Sequence, residues 1–228
     1  MTQTKPSRVW LFDLDNTLHD AGRYVFGELH LSMDAFVERE LGLPADEAQH
    51  LRNHYFQRYG ATLLGLVRHH GVQPAHFLHD THRLPGLEAQ LSGHRPDFAA
   101  LRRLRGRKFI VTNAPRAYAL RVLAALGITH WFEAVITIED MAMFGQLRPK
   151  PDARMLRTLA VKLGVPASRC VLVEDTLVHQ KSARRVGMGT VWMQRFARKA
   201  EANPDRPVRW AMRPGYVDRA VRSLRALG

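Results

Sequence analysis

A short apolar segment near the start of the chain, Val9–Phe12, leads directly into two acidic residues. Four consecutive apolar residues are typical of a buried strand, and Asp13 and Asp15 follow with only Leu14 between them. A carboxylate buried without a partner costs on the order of several kcal/mol. These two acids therefore either lie in solvent as loop residues, or hold a cation and take part in chemistry.

The next part of the chain, residues 21–105, has the periodicity of helices. The segments DAFVERELGL and ADEAQHLRNHYFQRYG carry apolar residues at helical spacing and end near Gly42 and Gly60. Further helices are predicted over Thr62–His70 and over HRPDFAALRRLRG. Because no strand pattern interrupts these residues, they are interpreted as one helical insertion.

From Arg107 onward, strand-like and helical segments alternate. The strand-like segments are KFIVTN, EAVITIED, RCVLVED and TVWM, and a helical segment follows each of the first three. This alternation predicts an α/β fold with a parallel sheet and helices on both faces. The first strand must belong to the same sheet, so the core is predicted over residues 1–20 and 106–228, with a helical lid over 21–105.

The end of the chain is harder to assign. Residues 199–214 contain several prolines and are predicted to form an irregular connection. A strand at GYV and a helix over DRAVRSLRAL are predicted to follow.

Composition limits the cellular setting. The chain has 228 residues, 46% of them hydrophobic, and a single cysteine, Cys170. It has no apolar run of the roughly 18 residues that a membrane span needs, and MTQTKPSR contains no apolar signal segment. We therefore expect no membrane association. A single cysteine also excludes an internal disulfide, and together with the lack of a signal segment this favours the cytoplasm.

The net charge of +13 raises the question of nucleic-acid binding. The arginines are scattered over the whole chain, which favours a solvated basic surface and predicts no specific nucleic-acid binding. A non-catalytic basic protein that binds nucleic acid is the less favoured alternative. A positive field would also attract a small anionic substrate.

Polar residues follow the strands of the predicted sheet at the edge where ligands bind in open parallel sheets. Four places far apart in the sequence contribute to this edge: Asp13 with Asp15, Thr112 with Asn113, Lys150 in RPKP, and Glu174 with Asp175. Each alone has an ordinary explanation, such as a turn, a helix start or a surface lysine. Together at one edge they favour a functional site.

The residue types suit phosphate chemistry. Oxygen ligands from Asp13, Asp15, Glu174 and Asp175 suit Mg²⁺, which would offset the repulsion between carboxylates and a phosphate. A lysine and a hydroxyl can hold the transferring phosphoryl oxygens. One aspartate can attack phosphorus while a second carboxyl protonates the leaving oxygen and then activates water.

The same residues resemble the four motifs of the haloacid dehalogenase-like hydrolase superfamily. FDLDNTL, VTN, the lysine of RPKP, and VED match these motifs in order. The resemblance implies a Rossmann-like core, with Asp13 as nucleophile and Asp15 as general acid and base. It implies that Thr112, Asn113 and Lys150 bind the phosphoryl group.

The resemblance also implies a metal site and a helical cap of the C1 type. Mg²⁺ would lie on the Asp13 carboxylate, the Asp15 backbone carbonyl and Asp175, with Glu174 close by. Haloacid dehalogenases lack the second acid, since a halide leaves without a proton, so Asp15 favours phosphatase chemistry. The family usually has asparagine four residues after the last acid, where this chain has His179.

The cap sequence LRNHYFQRYGATLLGLVRHHGVQPAHFLHDTH resembles that of pyrimidine 5′-nucleotidases. The implied reaction is hydrolysis of a nucleoside monophosphate such as UMP or CMP by a monomer or homodimer. Tyr59, Thr62 and His69 are the candidate substrate-binding residues of the cap. A sugar-phosphate phosphatase or phosphomutase with the same core remains the alternative.

Overall fold

A six-stranded parallel sheet forms the centre of the larger of two compact units. The computed structural model describes residues 8–196 and 213–228. The sheet strands are β1 (Val9–Phe12), β2 (Arg107–Val111), β3 (Ala134–Ile136), β6 (Cys170–Glu174), β7 (Gly189–Met193) and β8 (Arg219–Val221), and β4 (Ala142–Met143) pairs with β5 (Gln146–Leu147) in a separate antiparallel hairpin. The order across the sheet is β3-β2-β1-β6-β7-β8, with every pair parallel. The predicted α/β class is confirmed.

Helices flank this sheet and make up the insertion between β1 and β2. The α-helices are α1 (Val25–Leu41), α2 (Ala45–Tyr59), α3 (Thr62–His70), α4 (Pro74–Thr81), α5 (Leu87–Gln90), α6 (Arg95–Arg103), α7 (Arg116–Ala125), α8 (Ala153–Lys162) and α9 (Leu177–Arg185). Short 3₁₀ helices occur at Ala21–Arg23, Thr129–Trp131, Ile138–Asp140, Ala167–Arg169 and Leu224–Leu227. Within the described ranges, no helix is both long and apolar enough to cross a bilayer.

The central strand β1 is completely buried between β2 and β6. Val9 pairs with Arg107 on one side and with Cys170 on the other, so three strands run in step. Burial of every side chain of β1 explains its unbroken apolar sequence, since both faces of a parallel sheet are covered. Equal register brings the carboxyl ends of the three strands together.

The smaller unit, residues 23–90, is helical and has its own core. Phe36 of α1 packs edge-to-face on Phe77 of α4, with ring centroids 5.1 Å apart. A Cβ on Gly65 would lie 2.1 Å from the Tyr55 ring, so α2 and α3 meet where only glycine fits. The buried Arg52 also donates to Asp34 at 2.6 Å.

The larger unit comprises residues 1–22 and 91–228, so the helical unit is shorter than the range 21–105 predicted for the lid. The difference is α6, which belongs with the sheet. Asp97 in its first turn is buried, and its carboxylate accepts hydrogen bonds from the Ser223 hydroxyl, from the Leu224 backbone N–H at 2.9 Å and from Arg195 Nε at 3.1 Å. These bonds tie α6 to the C-terminal segment.

Three local predictions are wrong. The predicted strand at GYV is a turn in the structure. The segment EAVITIED is a strand only over Ala134–Ile136, because Thr137 and Asp140 then form a capping box that starts a 3₁₀ helix. The predicted C-terminal helix over DRAVRSLRAL is instead the edge strand β8 and a 3₁₀ turn. The predicted irregular connection over 199–214 lies outside the described residues, except at 213 and 214.

The C-terminal strand β8 forms because hydrogen bonds hold the residue before it, Asp218, against β7. The Asp218 carboxylate accepts a hydrogen bond from the Thr190 backbone N–H at 2.9 Å, and the Asp218 N–H donates to the Thr190 hydroxyl at the same distance. Ser223 then caps the last turn by accepting from Arg225 N. Contacts with residues far away in sequence therefore override the helical periodicity of the tail.

Replacement of Asp97 by alanine tests the tie between α6 and the C-terminal segment. Asp97→Ala is expected to lower the free energy of unfolding by about 2–4 kcal/mol, because buried donors lose their charged acceptor. Asp46→Ala removes an exposed aspartate from the first turn of α2 and is expected to cost at most about 1 kcal/mol. Urea unfolding would measure both, and equal losses would contradict the structural role of Asp97.

Candidate active site

The carboxyl ends of three neighbouring strands build the candidate site. Asp13 follows β1, and its backbone N–H donates to the Val173 carbonyl of β6 at 2.9 Å. Thr112 follows β2 and donates its N–H to the Ile136 carbonyl at 3.0 Å. Glu174 is the last residue of β6. Strand pairing therefore fixes the backbone positions of Asp13, Thr112 and Glu174 independently of their side-chain contacts.

The Lys150 ammonium lies between two of the carboxylates. Its Nζ donates to Asp13 Oδ1 and to Glu174 Oε2, both at 2.7 Å, and its side chain is 1% exposed. The lysine of RPKP therefore lies at the same edge of the sheet as Asp13 and contacts its carboxylate.

Asn113 holds the Lys150 backbone. Its Nδ2 donates to the Lys150 carbonyl at 2.8 Å, and its Oδ1 accepts the Lys150 N–H at 2.9 Å. Both ends of the amide are used in this way, so Asn113, predicted to bind phosphate, acts here by positioning Lys150. Thr112 is buried beside it, and its Oγ1 accepts the Ala114 N–H at 3.0 Å.

The Lys150 ammonium contacts two buried carboxylates, those of Asp13 and Glu174. The pKa values of these groups show that one positive charge does not balance both acids. Burial alone would raise the pKa of Glu174, but Lys150 and His179 hold it well below its usual range. Burial, followed by repulsion from Glu174, raises the pKa of Asp13 to about 6, although Lys150 partly opposes this. Asp13 and Glu174 in turn raise the pKa of Lys150 despite burial.

A third carboxylate completes an acidic cluster. Asp13, Glu174 and Asp175 each have a carboxylate oxygen within 4.8 Å of the others. Burial and then Glu174 raise the pKa of Asp175 well above its usual range. Oxygen donors with an excess of negative charge suit a hard cation such as Mg²⁺, so these residues fit the metal that the sequence implied.

Asp15 lies outside that cluster of side chains, and two buried residues hold it elsewhere. The Tyr118 hydroxyl donates to Asp15 Oδ1 at 2.5 Å, and His19 Nε2 lies 2.9 Å from the same oxygen. Burial and the Asp15 charge raise the pKa of Tyr118 well above its usual range, which keeps the hydroxyl protonated as a donor. Asp15 was predicted to contribute its backbone carbonyl to the metal, and that prediction is unaffected.

Sequence reasoning missed both residues that hold Asp15. His19 is fully buried and four residues after Asp15, a spacing that was visible in the sequence. Tyr118 is on α7, more than a hundred residues away, and carried no sequence signal because it reads as one apolar position of an amphipathic helix.

His179 lies on α9, four residues after Asp175. Its Nδ1 lies 3.0 Å from Glu174 Oε2, although the two groups are not aligned as a hydrogen bond. Its imidazole thus faces the same oxygen that accepts from Lys150. Glu174 is thereby held by two nitrogen groups from different elements.

The three candidate cap residues lie in the helical unit. The Tyr59 hydroxyl and His69 Nε2 are 2.6 Å apart. The guanidinium groups of Arg58 and Arg68 lie 5.7 and 5.9 Å from the Tyr59 ring centre. Thr62 is buried and donates its hydroxyl to the Arg52 carbonyl at 3.2 Å. Their role in substrate binding stays a prediction.

Comparison with known proteins identifies the family. Residues 8–187 match the family described as haloacid dehalogenase-like hydrolase. The chain belongs to this family. The hydrolase is 28% identical over 200 residues to Phosphate metabolism protein 8 of Saccharomyces cerevisiae, covering 81% of this chain and 60% of the yeast protein.

Shorter similarities connect the hydrolase to two named bacterial phosphatases. It is 38% identical over 104 residues to a plasmid phosphoglycolate phosphatase of Cupriavidus necator, covering 46% of this chain and 40% of that one. It is 34% identical over 80 residues to fructose-1-phosphate phosphatase YqaB of Escherichia coli, covering 35% and 40%. The chain spans 60% or less of the length of these curated relatives.

Solved structures share the fold of the hydrolase. A HAD phosphatase from Thermococcus onnurineus matches with a TM-score of 0.61 and 24% identity, covering 96% of this chain and 95% of that one. CbbY from Rhodobacter sphaeroides, solved with phosphate, matches with a TM-score of 0.63 and 18% identity, covering 97% and 96%.

The raised pKa of Asp13 predicts a site that destabilises the fold of the metal-free hydrolase. Its pKa of about 6 lies above the ordinary value of 3.8, so between these values the folded chain binds more protons than the unfolded chain. Stability is therefore lost as the pH rises through this window. In chelating buffer at pH 7, the free energy of unfolding of Asp13→Asn is expected to exceed that of the wild type by at most about 3 kcal/mol. The variant is therefore expected to unfold at a higher urea concentration.

The gap between wild type and Asp13→Asn is expected to narrow as the pH falls from about 6 to about 4. Glu47→Gln, which neutralises an exposed acid in α2, is the matched control and is expected to show no such pH-dependent gap. A wild type as stable as Asp13→Asn at pH 7 would contradict this account of the site.

Proposed function

We propose that the hydrolase is a Mg²⁺-dependent phosphatase that cleaves small phosphate monoesters through a phosphorylated Asp13. The observation that carries this proposal is the buried Lys150 ammonium, which is shared at 2.7 Å between Asp13 and Glu174. It places a fixed positive charge beside the acid that would attack phosphorus. The membership of the family supports the same reaction class.

Asp13 supplies the nucleophile. One of its carboxylate oxygens bonds to phosphorus while the bond from phosphorus to the ester oxygen breaks. Lys150 donates to Asp13 Oδ1 and so fixes the rotation of the carboxylate. Lys150 and the Thr112 hydroxyl are the positively charged and neutral donors available for the phosphoryl oxygens, and the charged donor is the stronger of the two.

Asp15 moves the proton. In the first step it gives a proton to the departing ester oxygen, and in the second it takes one from the water that attacks the phosphorylated Asp13. His19 and Tyr118 both contact its Oδ1 and hold the carboxyl in one orientation. The second step releases inorganic phosphate and restores both acids.

The acidic cluster of Asp13, Glu174 and Asp175 would hold Mg²⁺, together with the Asp15 backbone carbonyl. The bound ion would supply positive charge between the Asp13 carboxylate and the incoming phosphate. Without added charge, Asp13 and the phosphate would repel each other, and the raised pKa of Asp13 reflects the same shortage.

We infer that the substrate is a pyrimidine nucleoside monophosphate such as UMP or CMP. The resemblance of the cap sequence supports this class, and the paired Tyr59 and His69 offer an aromatic face with polar edges. A second candidate is a sugar phosphate or another small phosphorylated metabolite. The similarity to proteins named phosphoglycolate phosphatase and fructose-1-phosphate phosphatase favours it.

A panel of phosphate esters separates the two substrate classes. With Mg²⁺, we expect phosphate release to be fastest from UMP and CMP, slower from AMP, GMP and sugar phosphates, and absent in Asp13→Asn. Tyr59→Ala is expected to raise KM for UMP by about tenfold and to leave p-nitrophenyl phosphate hydrolysis nearly unchanged. Faster release from sugar phosphates than from UMP would reject the nucleotidase assignment and retain the phosphatase.

Asp15→Asn tests the assigned roles with a leaving group that needs no proton. With p-nitrophenyl phosphate, this variant is expected to release one equivalent of nitrophenolate and then stop, because asparagine cannot activate water. Mass spectrometry after rapid quenching is expected to show one phosphoryl group on Asp13. The double variant Asp13→Asn/Asp15→Asn is the control and is expected to show no phosphoryl adduct. Absence of the adduct in Asp15→Asn alone would refute the roles assigned to Asp13 and Asp15.

A further inference from the structure

A second concave site lies at the opposite edge of the sheet from the catalytic acids. It is a cavity of about 960 Å³ at the amino-terminal ends of β1, β2 and β6, which we call the basic cavity. Its lining includes Arg8, Trp10, Arg103, Arg105, Arg169, Arg225 and Gly228.

The side-chain charge of the basic cavity is positive among the described residues. Five of its lining residues are arginines and no lining side chain is acidic, while Gly228 adds the terminal carboxylate of the given chain. The side chains of Arg8, Arg103, Arg105 and Arg225 are exposed and form no ion pair with any residue in the described ranges. Two other arginines of this unit do pair with acids, Arg107 with Glu133 and Arg184 with Asp218, both at 2.9 Å.

The arginines reach the basic cavity from separate parts of the chain. Arg8 precedes β1, Arg105 precedes β2, and Arg225 belongs to the C-terminal 3₁₀ helix. Arg103 lies in the last turn of α6, where it offsets the helix dipole. Convergence of like charges raises the energy of the folded chain unless an anion offsets it.

Close packing fixes part of the wall of the basic cavity. Arg8 lies 5.2 Å from the centre of the Trp10 ring, and Trp10 Nε1 donates to the Arg105 carbonyl at 3.0 Å. The backbone at Gly106 has φ +110 and passes so close to Arg8 that a Cβ would lie 2.4 Å from its carbonyl oxygen. The segments that carry Arg8 and Arg105 are therefore fixed against each other.

The basic cavity is distinct from the catalytic site. Both occur on β1, but at opposite ends of a fully buried strand of four residues, which spans about 13 Å. A substrate held by Lys150 at the carboxyl end therefore cannot reach the arginines at the amino end.

We propose that the basic cavity binds a small ligand that carries two or more linked phosphate groups. Guanidinium groups bind phosphate through paired hydrogen bonds, and several converging arginines suit several phosphates. The volume is that of a site for a ligand of nucleotide size. Inorganic tripolyphosphate and a nucleoside triphosphate share this chemistry, and the two are distinguished experimentally below.

Isothermal titration calorimetry in chelating buffer at physiological salt tests the proposal on the full chain. We expect inorganic tripolyphosphate to bind the wild type, and Arg105→Ala/Arg225→Ala to weaken binding by about tenfold or more. Arg154→Ala/Arg157→Ala removes the same charge from exposed positions on α8 and is the matched control, with affinity expected within about twofold of the wild type. Monoester hydrolysis by both double variants is expected to equal that of the wild type.

Three ligands distinguish the sources of the anion. Tighter binding of ATP than of tripolyphosphate, lost in Arg105→Ala/Arg225→Ala, would assign a nucleotide to the basic cavity, whereas equal affinities would assign the phosphate chain alone. No binding of tripolyphosphate or ATP up to about 1 mM would overturn the proposal. Equal weakening in the two double variants would overturn it too, as would binding of a short RNA without binding of either small ligand.

Discussion

The Lys150 ammonium, shared between Asp13 and Glu174, is the interaction on which the candidate site depends. Each bond is 2.7 Å long and the lysine is almost fully buried. A buried charge is stable only when its partners are fixed in place, and here the partners follow or end strands that share one register. The parallel pairing of β1 and β6 thus supports the electrostatics of the site, and Asn113 holds the third member in position.

A single ammonium cannot neutralise the three clustered carboxylates of Asp13, Glu174 and Asp175, and the rest of the site reflects this imbalance. Lys150 and His179 hold the pKa of Glu174 well below its usual range, whereas burial leaves Asp13 and Asp175 with raised pKa values. The same imbalance suits the binding of a cation and of an anionic substrate together. Asp15 stands apart from it, because Tyr118 and His19 hold its carboxylate within a separate set of contacts.

Local rules predicted much of the fold. Helices α1, α2 and α3 end at Gly42, Gly60 and Gly71, which adopt positive φ angles as expected of helix C-caps. The unbroken apolar sequence of β1 predicted a buried strand, and the structure places that strand between β2 and β6. Prediction failed where distant residues competed with local periodicity: Asp97 draws α6 into the sheet unit, and Asp218 with Thr190 aligns the tail as a strand.

The sequence by itself determined the α/β class, the insertion after the first strand, and the acids, hydroxyl and lysine that follow the strands, because these depend on local periodicity and on the common edge of parallel strands. Only the tertiary structure decided how charge is shared among Asp13, Lys150 and Glu174, and which side chains hold Asp15. It alone also brought separate arginines around one cavity at the far edge. These features arise from contacts between residues far apart in the chain, and no periodicity in the sequence records such contacts.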